Sequence, residues 1–148
     1  MKKKLLFING HLNIGGTEKA LVDILRHLDY ERYDVDLLLV EGIGDYALFL
    51  PKQVRVIYHS LEQVYGPLIK SAANNLLNRD WFSLKLRLSL LMASRIGPNC
   101  LKPVGRMLLG EHHYDCVIAF RPGFSTQIAA FAVDAEHRIT WWHHGEVV

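Results

Sequence analysis

The stretch from Lys4 to Glu18 constrains the fold more than any other. Leu-Leu-Phe-Ile (5–8) stands between a lysine run and Asn9-Gly10. A short apolar run containing Ile and Phe and stopped by glycine reads as a buried strand rather than a turn of helix. Beyond Thr17 the spacing changes: Ala20, Leu21, Ile24, Leu25 and Leu28 recur every three or four residues, one apolar stripe on a helix. Strand and helix are joined by a loop ending in Gly15-Gly16. Glycine lets backbone amides approach a ligand closely, and the unpaired amides at a helix start favour an anion. The same pair could simply permit a tight turn, and the residues leave both readings open. The spacing is not G-x-G-x-x-G, because His11-Leu12-Asn13-Ile14 follows Gly10, and no Lys-Ser/Thr pair makes a P-loop. The expectation is a place for phosphate, not a named cofactor.

A chain of 148 residues suits one domain with a sizeable core, and half of its residues are hydrophobic. A net charge of +2 is too small to argue for nucleic acid. Cys100 and Cys116 form no C-x-x-C pair, so free thiols in a reducing compartment are expected. Lys2-Lys3-Lys4 imitates the start of a signal peptide, but four apolar residues are too few to continue it. No stretch approaches the ~20 apolar residues of a membrane span. A cytoplasmic protein is expected, at most resting on the inner face of the membrane.

Val35 to Val40 is nearly continuous aliphatic, the mark of a strand covered on both faces. Tyr46 to Leu50 suggests one helical turn, and Val54 to Tyr58 a third strand. The β-α-β start predicts a parallel sheet. In Leu84 to Met92 leucines alternate with basic residues at period two, yet Leu, Lys, Arg and Met favour helix. Helices are expected at about 67–78, 81–95 and 101–110, a helical insertion around 61–110. From 68 to 109 seven Lys or Arg face one acid, a charge of +6 that leaves −4 elsewhere. A basic, leucine-rich helical pair can rest on anionic lipid, so a peripheral membrane contact through basic residues 70–106 is one reading. An ordinary pair packed on the sheet is preferred, since the segment is too apolar all round to expose much of itself. Tyr114 to Phe120 resumes the sheet, Ser125 or Thr126 caps a helix, and Arg138 to His144 forms a last strand. The fold class is α/β: a Rossmann-like, doubly wound parallel sheet in three α/β/α layers. The chain ends four residues beyond the histidine pair, as a cut domain would.

Ligands of open parallel sheets bind beyond the carboxyl ends of the strands, where strand order reverses. That rule selects Asn9 to Gly16, Glu41 to Gly44, His59, Arg121 to Thr126 and His143 to Glu146. Strand alternation forbids both His143 and His144 from facing one ligand. Zinc is not expected, since no third ligand has suitable spacing.

These residues resemble a family. The first strand with Asn-Ile-Gly-Gly-Thr-Glu (13–18) looks like the amino-terminal half of family 4 glycosyltransferases of the GT-B fold. Asp36 to Val56, with Leu-Pro-Lys (50–52), is similar to bacterial members. So are Tyr114 to Thr126 and Ile139 to Glu146, the last aligning His143 with the family histidine. The resemblance covers most of the chain except 61–110. It implies the acceptor-binding half of a retaining enzyme that moves a sugar from a nucleotide diphosphate sugar to a glycan or lipid-linked acceptor, as in cell-envelope polysaccharide synthesis. On that resemblance His143 is the catalytic residue, assisting by hydrogen bonding near the donor sugar. Gly15, Gly16, Thr17 and Glu18 lie by the donor phosphates. Asn13, Arg121, Gly123, Ser125, His144 and Glu146 stand on the acceptor side. No cofactor and no metal is expected, for want of an Asp-x-Asp motif, and no nucleic acid. The carboxy-terminal nucleotide-sugar domain, with its paired glutamates, is absent from this chain, so residues 1–148 are expected to fold but to be inactive alone.

Two rivals remain. A nicotinamide dinucleotide-binding Rossmann module would use Glu41 on a ribose hydroxyl, against the missing third glycine. A non-enzymatic binding module would work through the basic helical pair.

Overall fold

The buried apolar runs become strands, and all five strands lie parallel. In chain order the elements are β1 (Lys3–Asn9), α1 (Gly16–His27), β2 (Tyr33–Leu39), a 3-10 turn (Asp45–Phe49) and β3 (Arg55–Tyr58). Then come α2 (Trp81–Ile96), a 3-10 turn (Pro98–Leu101), α3 (Lys102–Leu109) and β4 (Tyr114–Ala119). Last are α4 (Phe124–Gln127), which runs into a π turn (Ile128–Ala132), and β5 (Ala135–Thr140). The structure, a computed structural model, describes residues 1–59 and 81–143. The helix expected at 67–78 lies outside the described residues.

The strand order is β3-β2-β1-β4-β5, with every neighbouring pair parallel. Growth of the sheet therefore reverses at β1, and the loops leaving β1 and β4 part on either side of a crevice. Both faces of the sheet are covered. Leu6, Ile8, Leu38, Val40, Val117 and Ala119 pack with Leu86 of α2 and with Val104 and Leu108 of α3. Their chain neighbours Phe7, Leu37, Leu39, Ile118 and Phe120 pack on the other face with Leu21, Val22 and Leu25 of α1. Each such side chain stabilises the fold by roughly 1.5–3 kcal/mol, which is why β1, β2 and β4 read as unbroken apolar runs. The three α/β/α layers follow directly.

Residues 81–109 belong to the crossover from β3 to β4, and their leucines supply much of one core. Gly105 of α3 lies directly on the π turn: a Cβ there would overlap the Ala132 carbonyl. At the amino-terminal end of the sheet Arg55 grips Asp36 with two hydrogen bonds of 2.8 and 2.5 Å, and the Tyr114 hydroxyl donates to the same carboxylate at 2.7 Å.

Two expectations shift. The last strand begins at Ala135, three residues early, because Ala135 pairs with Tyr114 and only that residue of β5 is buried. It ends at Thr140, before the tryptophans. Ser125 and Thr126 do not cap α4 either. Gly123 does, at φ +98, and Ser125 is buried inside the helix.

Candidate functional site at the carboxyl end of the sheet

The loop after β1 is clamped by its backbone. The Gly10 carbonyl accepts the amides of Glu41 (2.8 Å), Val40 (3.1 Å) and Gly42 (3.3 Å), and the Leu12 amide donates to Ile43 (3.2 Å). This ties the β1 loop to the end of β2. A Cβ on Gly10 would meet the Glu41 carboxylate. Asn9, the last residue of β1, is fully buried, and its Nδ2 donates to the His11 carbonyl at 2.7 Å. Its Oδ1 is buried without a partner among the described residues. A buried acceptor with nothing to accept from is costly, so its place at the strand end marks a polar site.

Gly15 caps α1 in extended backbone, with no side chain bonded to the helix start. The reason for glycine there is steric: a Cβ would collide with the carboxylate of Glu18. Glu18 is only 7 % exposed, and a negative charge in the first turn suits the helix dipole. A Cβ on Gly16 would meet nothing within 4 Å. The anion place expected at Gly15-Gly16 is thus divided: the protein's own carboxylate covers Gly15, and open space lies over Gly16.

His11 joins these parts. Its Nδ1 lies 3.9 Å from Glu18 Oε1 and its Nε2 lies 3.8 Å from Glu41 Oε2. Arg121, in the loop after β4, brings Nη1 to 3.2 Å from His11 Nε2 and 3.8 Å from Glu41 Oε2. Two carboxylates, an imidazole and a guanidinium, drawn from three strand ends and the first turn of α1, therefore share one cluster. Neither His11 nor Glu41 was among the expected glycosyltransferase site residues. Both lie within the strand-end ranges, but no local pattern singles them out. Only the register of β1, β2 and β4 brings them together.

His143 stands at the same end. Its ring packs on Phe120 (4.7 Å between centroids) and stacks with Trp141 (6.1 Å, 11°). Phe120 bonds back to Ile8 of β1 and immediately precedes Arg121, so His143 is linked to the cluster through one buried ring. Its Nε2 is buried without a partner among the described residues. Of the remaining expected residues, Asn13 is exposed and gives only its amide, to His11 Nδ1 at 3.3 Å. Thr17 is half-buried in the first turn of α1, and Gly123 is exposed. Thr126 rather than Ser125 closes the β4 loop, bonding to the Arg121 carbonyl at 3.4 Å. His144 and Glu146 lie outside the described residues.

Two clefts lie at the other end of the sheet. One of about 370 Å³ lies between α3 and the π turn, lined by Lys102, Arg106, His112 and Arg138 among others. Another of about 470 Å³ contains Asp36, Arg55 and Tyr114. Their polar groups are satisfied internally or wholly solvated: Arg138 donates to the carbonyls of Ala129, Val133 and Ala135. Among the described residues the unpartnered buried atoms, Asn9 Oδ1 and His143 Nε2, are both at the carboxyl end, which makes that end the candidate site. Among the described residues no group of three His, Cys, Asp or Glu could hold a metal, and no helix is long and apolar enough to cross a membrane. Compared with protein-family models, curated proteins and solved structures, the chain matches none.

Proposed function

We propose that this chain is the acceptor-binding half of a retaining glycosyltransferase, moving a sugar from a nucleotide diphosphate sugar to a glycan or lipid-linked acceptor. One observation carries the reading: the open first turn at Gly16, the Arg121 guanidinium and the unpartnered Nε2 of His143 stand at the same end of the sheet, beside the switch point. In this reading the amides over Gly16 meet a phosphate of the donor. Arg121 balances the carboxylates of Glu18 and Glu41, which would otherwise repel it. His143 hydrogen-bonds a sugar hydroxyl through Nε2. The nucleotide side of the cleft comes from a second domain outside these residues, and the work is placed in the cytoplasm, where no metal is required of this half.

The test is chemical-shift mapping of the ¹⁵N-labelled chain with uridine and guanosine diphosphate sugars. Weak, millimolar binding that moves Gly16 and His143 is expected, with no sugar transfer by the chain alone. Shifts confined to the α3 cleft, or none at all, would end the reading.

One observation favours the dinucleotide alternative: Glu41 stands at the end of β2 with its carboxylate against Gly10, where a ribose hydroxyl would be held. Titration with NADH, followed through Trp141 and Trp142, separates the two. A micromolar response to NADH and none to nucleotide sugars would replace the first reading by the second.

A further inference from the structure

Helix α2 turns a narrow stripe to the core. Leu86 is buried, and Leu90 and Ala93 pack beside it at helical spacing. The opposite side is exposed. Trp81 is 62 % exposed, Leu88 59 %, Met92 43 % and Ile96 70 %. Lys85 and Arg95 are exposed on the same helix, and Lys102 and Arg106 follow on α3. None of these four cations is in an ion pair or hydrogen bond with a described residue. From Trp81 to Leu109 the chain carries five basic residues and no acidic one.

An apolar face of this kind in water marks a docking surface. The sign of its charge selects the occupant. A second copy would set cations against cations, and a neutral apolar partner would leave them unanswered. A bilayer with anionic headgroups answers both features: Leu88, Met92 and Ile96 enter the headgroup boundary, Trp81 sits at the interface, and the lysines and arginines meet lipid phosphates. Phe82 stacks on His59, one residue beyond β3 (5.5 Å between centroids), which fixes the start of α2 at the carboxyl end of the sheet.

We propose that α2 lies flat on an anionic lipid surface, with its Trp81–Leu88–Met92–Ile96 side toward the acyl chains. The proposal is independent of the sugar-transfer reading. Co-sedimentation of the full chain with phosphatidylglycerol/phosphatidylcholine vesicles and with pure phosphatidylcholine tests it. Binding is expected to the anionic vesicles only, and to be lost at high salt. It should weaken about tenfold or more in Lys85→Glu/Arg95→Glu. It should weaken also in Leu88→Ser/Met92→Ser, which keeps every charge. Circular dichroism checks that both variants fold. If either does not, amide exchange in α2 of the unaltered chain decides, since protection should rise on adding anionic vesicles and not neutral ones. Equal binding to both vesicles, no binding at low salt, or α2 amides equally protected with and without lipid would overturn the proposal. So would a concentration-dependent dimer that excludes vesicle binding, which would assign the face to a second copy.

Discussion

Arg121 Nη1 lies 3.2 Å from His11 Nε2, so a guanidinium leaving β4 meets an imidazole leaving β1 across the switch point. The Asn13 amide approaches the other ring nitrogen at 3.3 Å. A neutral imidazole offers one acceptor nitrogen, so these two donors compete for it. A protonated ring offers none, and Glu18 and Glu41 are then its natural partners. The ring is a junction with more donors around it than it has acceptor places.

His11→Ala should therefore loosen the loop more than it unfolds the protein. A loss of about 1 kcal/mol in urea unfolding is expected, with faster amide exchange at Asn13. The Arg121–Glu41 pair is half-exposed, so a double-mutant cycle with Arg121→Gln and Glu41→Gln should give a coupling of only about 0.2–1 kcal/mol. A coupling several times larger would mean that the pair is held far more tightly than its 3.8 Å separation implies.

Two glycines should respond oppositely to alanine. Gly105→Ala drives a methyl into the Ala132 carbonyl and should cost about 1–3 kcal/mol, read from the urea midpoint. Gly16→Ala meets open space at the start of α1 and should leave stability unchanged or slightly raised. If a phosphate binds over that turn, Gly16→Ala loses it while remaining folded. Nucleotide-sugar titration of the folded variant reads the difference.

Legibility in the sequence followed burial. β1, β2 and β4 are covered on both faces, so Leu-Leu-Phe-Ile, Val35–Val40 and Tyr114–Phe120 announced themselves. β5 is an edge strand with five exposed residues, and its true start at Ala135 carries no apolar signal. The Leu-Lys alternation of α2 is helix, as its composition favours; among its described residues Leu86, Leu90 and Ala93 reach the core, while Trp81, Leu88, Met92 and Ile96 are exposed, a division that period-two alternation does not announce. The glycine turn was visible because glycine is rare inside elements. The His11–Glu41–Arg121 junction was not, since it exists only once three strand ends stand in register.

His113 illustrates an exposed pair. Its Nδ1 lies 2.9 Å from Asp134 Oδ2, and that hydrogen bond, aided by the charges of Asp134 and Glu136, raises the ring's pKa while His113 lowers that of Asp134. The interaction is whole between the two ordinary values, roughly pH 4 to 6.5. It fades as pH rises through the raised histidine value, and again as pH falls through the lowered aspartate value. NMR titration should find His113 protonated at higher pH than a free histidine. Asp134→Asn should bring it down. An unshifted His113 would show the pair to be open in solution.

The Tyr114 hydroxyl donates to Asp36 from a site nearly closed to water, beneath the Arg55 fork. Burial first, and then the Asp36 carboxylate, pushes its phenol well above the ordinary tyrosine value. Below about pH 10 both folded and unfolded chains keep this proton, and the contribution is fully present. Above that, the unfolded chain releases it while the folded chain holds it, so stability falls as pH rises. Tyr30, also raised by burial, acts in the same direction, so the wild-type curve alone cannot isolate Tyr114. Tyr114→Phe can. The variant should be less stable by about 1.5–3 kcal/mol near neutrality, the worth of a hydrogen bond to a charged group. That deficit should shrink as pH climbs past 10, because the variant has no proton to lose. Urea unfolding at neutral and alkaline pH measures both terms, and a deficit constant with pH would mean that the phenol titrates alike in both states.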